Sequence, residues 1–164
     1  MRTALVTGGG RGIGAAISKQ LAKDGYRILL TYCNSSKPAE MVVDDIRNSG
    51  VDAVAANCDM TDAREVALLA THPWVIDGID VLVINHGRYD RVDAKDLDLE
   101  HLRRTMTTNF EGAFLTWDAV KSSLTKQARI CVIGSQLGTK GSPHGADYSA
   151  SKAALSTWAR SLAQ

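Results

Sequence analysis

Residues 3–14 read TALVTGGGRGIG, and the rest of the chain is organised around this stretch. Residues 3–7 are a short apolar run typical of a buried β-strand, and residues 13–22 repeat apolar side chains at helical spacing. Five glycines lie between residues 8 and 14, where the strand must turn into the helix. Without side chains, the backbone N–H groups of such a turn approach a phosphate closely at the positive end of the helix. The stretch therefore predicts strand, turn and helix with a dinucleotide site at the turn, and a plain connecting turn is the simpler alternative.

The alternation of strand and helix patterns continues to the end of the chain. Strand-like runs occupy residues 26–32, 51–57, 79–85 and 128–134. Two helical patterns begin at caps, one at Ser35 or Ser36 and one at Thr61 or Asp62. Two more helical patterns occupy residues 97–124 and 149–164. In the third helix we expect Val66, Leu68 and Leu69 to turn inward, with the helix ending at His72-Pro73.

Five strand–helix units predict an α/β fold. We expect a doubly wound, Rossmann-like parallel sheet of about five strands in the order 3-2-1-4-5, with helices on both faces. Dinucleotide-binding sheets of this kind usually have six strands, whereas the last helical pattern here reaches Gln164 with no strand after it. The expected organisation is therefore a single NAD(P)-binding domain, residues 1–164, that is C-terminally truncated.

The composition excludes several classes of protein. With 19 basic and 18 acidic residues, the chain has no charge excess that would attract nucleic acid or a membrane surface. No apolar run reaches the roughly 18 residues needed to cross a bilayer, and no signal peptide is recognisable, so we expect a cytoplasmic protein. Cys33, Cys58 and Cys131 lack C-x-x-C spacing, so neither a disulfide framework nor a metal site is expected. We expect Cys58 and Cys131 to be small buried side chains.

A second informative stretch runs from Ser135 to Lys152 and ends in Tyr148-x-x-x-Lys152. On a helix, residues four apart project from the same face, so the Lys152 ammonium would lie one turn from the Tyr148 phenol. A nearby positive charge favours loss of the phenol proton and makes it a better general acid. Ser135 precedes Tyr148 by a glycine-rich segment long enough to fold its hydroxyl back. The three groups would bind and protonate a carbonyl oxygen, although a half-buried tyrosine with a solvated lysine is the commoner meaning of this spacing.

The type of cofactor is predicted from the end of the second strand. A cofactor with a free ribose 2′-hydroxyl usually meets an acidic residue about 20 positions beyond the glycine loop. Residues 31–37 read TYCNSSK and contain no acid. Arg11 with Asn34, Ser35 or Lys37 would suit a 2′-phosphate, which favours NADP(H) over NAD(H). The alternative is that Arg11 and Lys37 are simply solvated.

Taken together, these motifs resemble the short-chain dehydrogenase/reductase family over the whole chain. The resemblance rests on Thr7-Gly8-x-x-x-Gly12-x-Gly14, Asn57-Cys58-Asp59, Asn85-His86-Gly87, Asn109, Ser135 and Tyr148-x-x-x-Lys152, in this order. Within the family, residues 133–141 are similar to the 3-oxoacyl-acyl-carrier-protein reductases. The family usually has alanine where this chain has His86, and we expect that imidazole to be a tolerated surface ring unless it contacts cofactor or substrate.

The resemblance implies roles for individual residues. Ser135 would hold the substrate oxygen, Tyr148 would act as acid or base, Lys152 would bind the nicotinamide ribose, and Asn109 would interrupt its helix and hold a water in a proton relay. The residues implied in cofactor binding are Gly8, Arg11, Gly12, Ile13, Gly14, Asn34, Ser35, Asp59, Met60, Asn85, His86, Gly87, Tyr148 and Lys152. Asp59 would meet the adenine amino group, although Asp59-x-Thr61 is equally a turn or cap sequence. His144 is expected to be a loop residue near the entrance.

The function expected is an oxidoreductase that transfers hydride between NADP(H) and a small carbonyl or alcohol substrate, including a 3-oxoacyl thioester. Family members normally continue for about 80 residues beyond the Tyr-Lys helix, so an inactive fragment or a nucleotide-binding remnant is the alternative. The apolar stripes of the two last long helices (Phe110, Phe114, Trp117 and Leu155, Trp158, Leu162) predict a homodimer or homotetramer.

Overall fold

The computed structural model describes all 164 residues, and five parallel strands form its single sheet. In chain order these strands are β1 (Thr3–Val6), β2 (Arg27–Tyr32), β3 (Ala53–Asn57), β4 (Ile79–Ile84) and β5 (Leu124–Val132). They lie side by side in the order β3-β2-β1-β4-β5. The predicted α/β Rossmann-like architecture and its strand order are therefore confirmed.

Eight helices connect the parallel strands or follow the last of them. They are α1 (Gly12–Lys23), α2 (Ser36–Asn48), α3 (Ala63–Ala70), α4 (Pro73–Ile76), α5 (Leu99–Met106), α6 (Gly112–Val120), α7 (Leu137–Lys140) and α8 (Ala146–Leu162). A π-helical turn, Thr107–Glu111, joins α5 to α6, and a short 3₁₀ turn, Lys121–Ser123, leads into β5. This arrangement places the carboxyl ends of the strands, and the loops that follow them, along one edge of the sheet.

Two apolar layers cover the sheet, because successive strand residues point to opposite faces. One layer joins the strands to α1 and α2, and its strand residues are Ala4, Val6, Ile28, Leu30, Ala53 and Val83. The other joins the opposite face to α3, α6 and α8, and it includes Leu5, Leu29, Leu82, Ile84, Val66, Val120 and Leu155. The central strands are apolar at nearly every position because both of their faces are buried.

The helical pattern over residues 97–124 is divided in the structure, as the resemblance implied at Asn109, and its predicted end at residue 124 is wrong. The π-helical turn interrupts it at Thr107–Glu111, and the chain has already entered β5 at Leu124. β5 pairs with β4 from Ile79 onward, with a register irregularity near the start of the pairing. Because of this pairing, β5 begins four residues before residue 128, where the predicted strand begins. Tertiary pairing, which local periodicity does not report, therefore sets this boundary.

The prediction for α3 is only partly correct. Asp62 caps the helix by accepting from the backbone N–H groups of Arg64 and Glu65, as expected. Val66 and Leu69 are buried, whereas Leu68 is 69% exposed, so the inward orientation predicted for Leu68 is wrong. On a helix, adjacent residues lie about 100° apart, and only one of the Leu68-Leu69 pair reaches the core.

β5 forms one edge of the sheet and is mostly exposed. It pairs only with β4, and Cys131 and Ile130 lie on its accessible surface. The prediction that Cys131 is buried is therefore wrong, because no element covers this part of the strand, whereas Cys58 is buried as expected. All three cysteines are free thiols, and no cluster of three or more His, Cys, Asp or Glu side chains is suited to a metal ion. None of the helices is long and apolar enough to span a membrane.

Candidate active site

The glycine loop between β1 and α1 has the backbone geometry that only glycine adopts without strain. Gly8 and Gly12 have φ values of +61° and +54°, in the left-handed region. A Cβ at Gly12 would meet no atom within 4 Å, so this residue faces open space at the start of α1. Gly9 and Gly10 serve a different purpose, because a Cβ at either position would press on Leu30 or Ala39 at less than 3 Å. The sequence does not show which glycines are needed for their backbone conformation and which for close packing, whereas the structure does.

Unpaired backbone donors line the loop. The N–H groups from Gly10 to Gly14 donate to no acceptor within the protein, and Arg11 contributes no side-chain cap to α1. At the N-terminus of a 12-residue helix these donors coincide with the positive end of the helix dipole. The loop therefore fits a pyrophosphate group both by its donors and by the open space at Gly12.

Asn85, directly after β4, braces this loop from within the protein. Its Nδ2 donates to the carbonyl oxygens of Thr7 and Gly8, each at 3.0 Å. A Cβ at Gly14 would lie 2.4 Å from the Gly8 carbonyl oxygen and 2.5 Å from Asn85 Nδ2. The Asn85 amide N–H groups thus fix the conformation of the loop, whereas its Oδ1 has no hydrogen-bond partner within the protein.

His86 is turned inward, which corrects the expectation of a tolerated surface ring. Its Nδ1 lies 2.8 Å from the Thr7 hydroxyl, and its Nε2 is shielded from solvent without a regular hydrogen-bond partner. Burial, together with the positive charge of Lys152, lowers the pKa of His86 to about 4. The ring is therefore neutral at pH 7. Sequence patterns do not reveal this, because the surroundings of the ring come from β1 and the π-helical turn.

Asn109 is fully buried in the π-helical turn and binds the segment after β4 through both ends of its amide. Its Oδ1 accepts from the Arg88 backbone N–H at 2.7 Å, and its Nδ2 donates to the Arg88 carbonyl at 3.0 Å and to Ser151 Oγ at 2.9 Å. The predicted interruption of the helix at Asn109 is confirmed. π-helical turns inside α-helices are frequent at functional sites.

Lys152 lies on α8 with its side chain buried beside Asn109. A Cβ added to Gly87 would lie 3.3 Å from Asn109 Oδ1 and 3.6 Å from Lys152 Nζ, so both groups meet at this glycine. Lys152 Nζ donates to the Ile133 carbonyl at 2.7 Å and lies 5.8 Å from the centre of the Tyr148 ring. Burial lowers the pKa of Lys152. Only one of its three N–H donors has a partner in the protein.

The two hydroxyl groups of the predicted triple are also free to donate. Ser135 Oγ accepts from the Leu137 backbone N–H at 3.2 Å and donates to no protein group. The Tyr148 hydroxyl has no hydrogen-bond partner within the protein, although the residue is half-buried. Gly138 of α7 lies against the backbone of Lys152, where a Cβ would come within 2.9 Å, so α7 holds the Ser135 turn against α8.

Tyr89 is a site residue that the sequence analysis missed. Its ring packs edge-on against Tyr148 with the ring centres 4.8 Å apart, and its hydroxyl donates to the His144 carbonyl at 3.0 Å. His144 pairs with Asp93, and the Ala94 N–H donates to the Pro143 carbonyl at 2.8 Å. The loop after β4 is thus fastened to the loop before α8. The only signal in the sequence was a tyrosine two residues after Asn85-His86-Gly87.

The residues predicted to select the cofactor lie in the glycine loop and directly after β2. Arg11, Asn34, Ser35 and Lys37 are exposed, and their side chains form no hydrogen bond or ion pair within the protein. Ile13, in the first turn of α1, is 63% exposed.

Asp59 and Met60, after β3, make protein contacts of their own. Asp59 Oδ1 accepts from the N–H and the hydroxyl of Thr61, and these bonds lower the pKa of the Asp59 carboxyl. The turn interpretation of Asp59 therefore describes the structure. The Met60 side chain is buried, and Thr116 Oγ1 lies 3.3 Å from its sulfur.

A parallel sheet with a phosphate-sized donor loop after its first strand, and free hydroxyl and ammonium groups after its fifth strand, is the arrangement of a dinucleotide-binding α/β protein. The sequence profile of the short chain dehydrogenase family matches residues 2–164. The chain therefore belongs to the short-chain dehydrogenase family.

Three relatives from fungi illustrate the match. The chain is 36% identical to elsinochrome reductase 1 of Elsinoe fawcettii, 34% to a trihydroxynaphthalene reductase of Pestalotiopsis fici and 35% to a versicolorin reductase of Emericella nidulans. Each alignment covers 99% of this chain but only 61%, 58% and 62% of the relative. The chain thus spans about three fifths of the length of the curated relatives it matches. None of these three is named as a 3-oxoacyl-acyl-carrier-protein reductase.

Two solved structures superpose closely on this chain. A short chain dehydrogenase from Burkholderia cenocepacia in complex with NADP matches with a TM-score of 0.93 and 37% identity, over 99% of this chain and 67% of that one. A blue fluorescent protein from a metagenomic library in complex with NADPH matches with a TM-score of 0.91 and 35% identity, with the same coverage.

Proposed function

We propose that this protein is an NADP(H)-dependent reductase that transfers hydride between the nicotinamide and a carbonyl group of a small aromatic substrate. One observation carries the proposal. The Ser135 and Tyr148 hydroxyls and two N–H donors of Lys152 have no acceptor within the protein, and they lie at the sheet edge that also carries the glycine loop. Buried or half-buried donors without partners are costly, and a substrate oxygen and a cofactor ribose would satisfy them.

The side chains of this chain have separate tasks in the proposed reaction. When bound, the reduced cofactor supplies the hydride that adds to the carbonyl carbon. The Ser135 hydroxyl donates a hydrogen bond to the carbonyl oxygen and orients it, and the Tyr148 hydroxyl gives its proton to that oxygen as negative charge develops. The Lys152 ammonium, 5.8 Å from the ring, stabilises the charge left on Tyr148. The Asn109 amide bonds the Arg88 backbone and so holds the segment after β4 in place beside Lys152.

Cofactor binding rests on the loop and on the ends of β2 and β3. The free N–H groups from Gly10 to Gly14 suit the pyrophosphate. The unpaired side chains of Arg11, Asn34, Ser35 and Lys37 suit a 2′-phosphate, and no carboxylate lies among residues 31–37 to repel one. The NADP and NADPH complexes of the structural neighbours support the same preference. Asp59 and Gly87 complete the proposed site near the adenine and the nicotinamide, respectively.

The substrate class that we propose is a planar aromatic ketone rather than a 3-oxoacyl thioester. The relatives named for trihydroxynaphthalene, versicolorin and elsinochrome support this choice. Tyr89 supports it independently, because it presents a 46% exposed aromatic ring directly beside Tyr148. Aromatic rings stack or pack edge-on with a gain of roughly 0.5–1.5 kcal/mol beyond their buried area.

Self-association is a further part of the proposal. One aromatic cluster joins α8 to α6 and to the π-helical turn before α6, with ring centres 5.9–6.5 Å apart. Its members are Phe110, Phe114, Trp117 and Trp158. Phe114 remains 43% exposed and Leu162 38% exposed, whereas Leu155 is fully buried in the core. A second copy would cover the exposed part of this cluster. Light scattering over a concentration series tests the homodimer or homotetramer, and a monomer at every concentration would count against it.

The experiment that tests the function measures NADPH binding and turnover separately. Wild-type protein is titrated with NADPH and NADH, and NADPH oxidation is then followed with a bicyclic aromatic ketone and with an acetoacetyl thioester. We expect tighter binding of NADPH and faster reduction of the ketone. Tyr148→Phe should lose turnover but not binding, and Tyr26→Phe is the matched control because Tyr26 bonds Arg2 far from the site. NADPH binding without turnover of any carbonyl would favour a nucleotide-binding role without catalysis.

A further inference from the structure

His86 is the side chain of the site region that neither the proposed chemistry nor the cofactor contacts explain. It follows β4 by two residues, and its ring lies between the Thr7 hydroxyl and the π-helical turn. A Cβ at Gly112 would lie 3.0 Å from His86 Nε2 and 2.8 Å from the Met60 carbonyl oxygen, so the absence of a side chain at Gly112 makes room for the imidazole. This fit indicates that the ring has a defined position rather than a tolerated one.

The hydrogen bonds of Thr7 decide which ring nitrogen carries the proton. Thr7 Oγ1 accepts from the backbone N–H groups of Asn85 at 2.9 Å and of His86 at 3.3 Å, which occupies both of its lone pairs. Its single proton has two acceptors in reach, the Val83 carbonyl at 3.3 Å and His86 Nδ1 at 2.8 Å. A proton on Nδ1 would be a third donor to the same oxygen. Nδ1 is therefore the acceptor, and the proton of the neutral ring lies on Nε2.

Nε2 forms no regular hydrogen bond within the protein, and the backbone carbonyl of Thr108 lies close enough to act on its proton. That carbonyl raises the pKa of His86, which is the direction expected when it faces a ring N–H, although the contact is looser than a regular hydrogen bond. Thr108 precedes Asn109 in the π-helical turn. A bond from His86 to Thr108 would therefore fix the turn from which Asn109 reaches Arg88 and Ser151.

We propose that His86, as the Nε2–H tautomer, is a positioning residue that links Thr7 beneath the glycine loop to the Thr108 carbonyl of the π-helical turn. The link holds the cofactor loop and Asn109 in a constant relative position. Asn85 braces the loop independently, so loss of His86 affects the turn and the region around Lys152 more than the pyrophosphate loop. The consequence for catalysis rests on the proposed function, whereas the tautomer and the rigidity of the turn do not.

The first test reads the tautomer directly. Protein labelled with ¹⁵N at histidine is examined by NMR, because the nitrogen shifts distinguish a protonated ring nitrogen from a bare one. We expect His86 to show a protonated Nε2 and a bare Nδ1 and to remain neutral at pH 6. A protonated Nδ1, or a ring that titrates like exposed imidazole, would overturn the proposal. Spectra of His86→Ala assign the signal, since the other three histidines remain.

The second test reads the turn. Amide hydrogen exchange of residues 107–113 is compared in wild type, His86→Ala, His86→Asn and His86→Gln. Asn places an acceptor near Thr7 but does not reach Thr108, whereas Gln places an amide N–H near the Nε2 position. We expect exchange to accelerate about tenfold in the Ala and Asn variants and much less in Gln. The control is His72→Ala, which removes a cap of α4 far from the turn. Equal exchange in wild type and His86→Ala would refute the link.

The third test separates positioning from cofactor binding. In an active wild type, His86→Ala should lower kcat by about threefold to tenfold and change the NADPH dissociation constant by less than about threefold, with partial recovery in His86→Gln. A loss of NADPH binding with unchanged kcat would overturn the proposed role. If wild type has no turnover, the proposed function fails, and the tautomer and exchange measurements still decide the role of His86.

Discussion

Gly14→Ala is the substitution whose effect the structure predicts most directly. The new Cβ would lie 2.4 Å from the Gly8 carbonyl oxygen and 2.5 Å from Asn85 Nδ2, whereas ordinary contacts begin at 3.4 Å. The loop and α1 must therefore separate by about 1 Å, and overpacking of this kind typically costs about 1–3 kcal/mol. Moving Asn85 also weakens two hydrogen bonds worth about 1 kcal/mol each. The free energy of unfolding should fall by about 3–4 kcal/mol, or roughly 10 °C in melting temperature.

Gly12→Ala is the matched comparison in the same loop. Its φ of +54° makes alanine unfavourable by about 1–2 kcal/mol, but a Cβ there meets no atom within 4 Å. We expect a decrease of only about 4 °C in melting temperature. If a pyrophosphate occupies the open space, Gly12→Ala should nevertheless weaken NADPH binding strongly, because the methyl group lies where the phosphate must approach.

The assay is thermal unfolding followed by circular dichroism, with and without a saturating concentration of NADPH. Bound ligand raises the melting temperature of wild type, and this rise should disappear in both variants. The two variants should differ in the melting temperature without ligand, with Gly14→Ala much the lower. A Gly14→Ala variant that melts within 2 °C of wild type would refute the packing argument. A Gly12→Ala variant that binds NADPH like wild type would refute the placement of the pyrophosphate.

Three further predictions concern buried polar groups. Because the pKa of His86 is about 4 in the folded protein and about 6.5 in the unfolded chain, the unfolded state takes up a proton first as pH falls, and stability should drop by about 2 kcal/mol between pH 7 and pH 5. The free energy of unfolding of His86→Ala should lack this decrease. Identical pH profiles of stability in wild type and His86→Ala would contradict the lowered pKa of His86. Lys152→Met should abolish turnover. It should not lower the melting temperature at pH 7, because burial disfavours the Lys152 charge. A decrease in melting temperature as large as that of Gly14→Ala would argue against this reasoning. Thr105→Val should cost about 1–3 kcal/mol in urea unfolding, because it removes the hydroxyl that donates to the buried Asp147 carboxylate at 2.5 Å, and Thr105→Ser should retain most of the stability.

Much of the fold was predictable because it depends on local patterns. The apolar runs at β1, β2 and β4 and the helical spacing between them indicate crossovers of a parallel sheet, and the handedness of such crossovers leaves few strand orders. The resemblance implied the interruption at Asn109, but the boundary near Leu124 was not predictable, because the start of β5 depends on its pairing with β4. The exposure of Cys131 and Leu68 likewise depends on what covers them.

For the site, the sequence by itself determined which chemical groups are available and in which loops they lie. Spacing alone placed Tyr148 and Lys152 on one helix face, and the glycines between residues 8 and 14 marked the phosphate loop. Only the tertiary structure decided which groups have partners. The Asn85 amide N–H groups and the Met60 side chain have partners within the protein, Tyr89 packs against Tyr148, and His86 Nδ1 contacts the Thr7 hydroxyl. Hydrogen bonding and burial depend on residues distant in sequence, so the free or committed state of each polar group emerges only when the strands and helices pack.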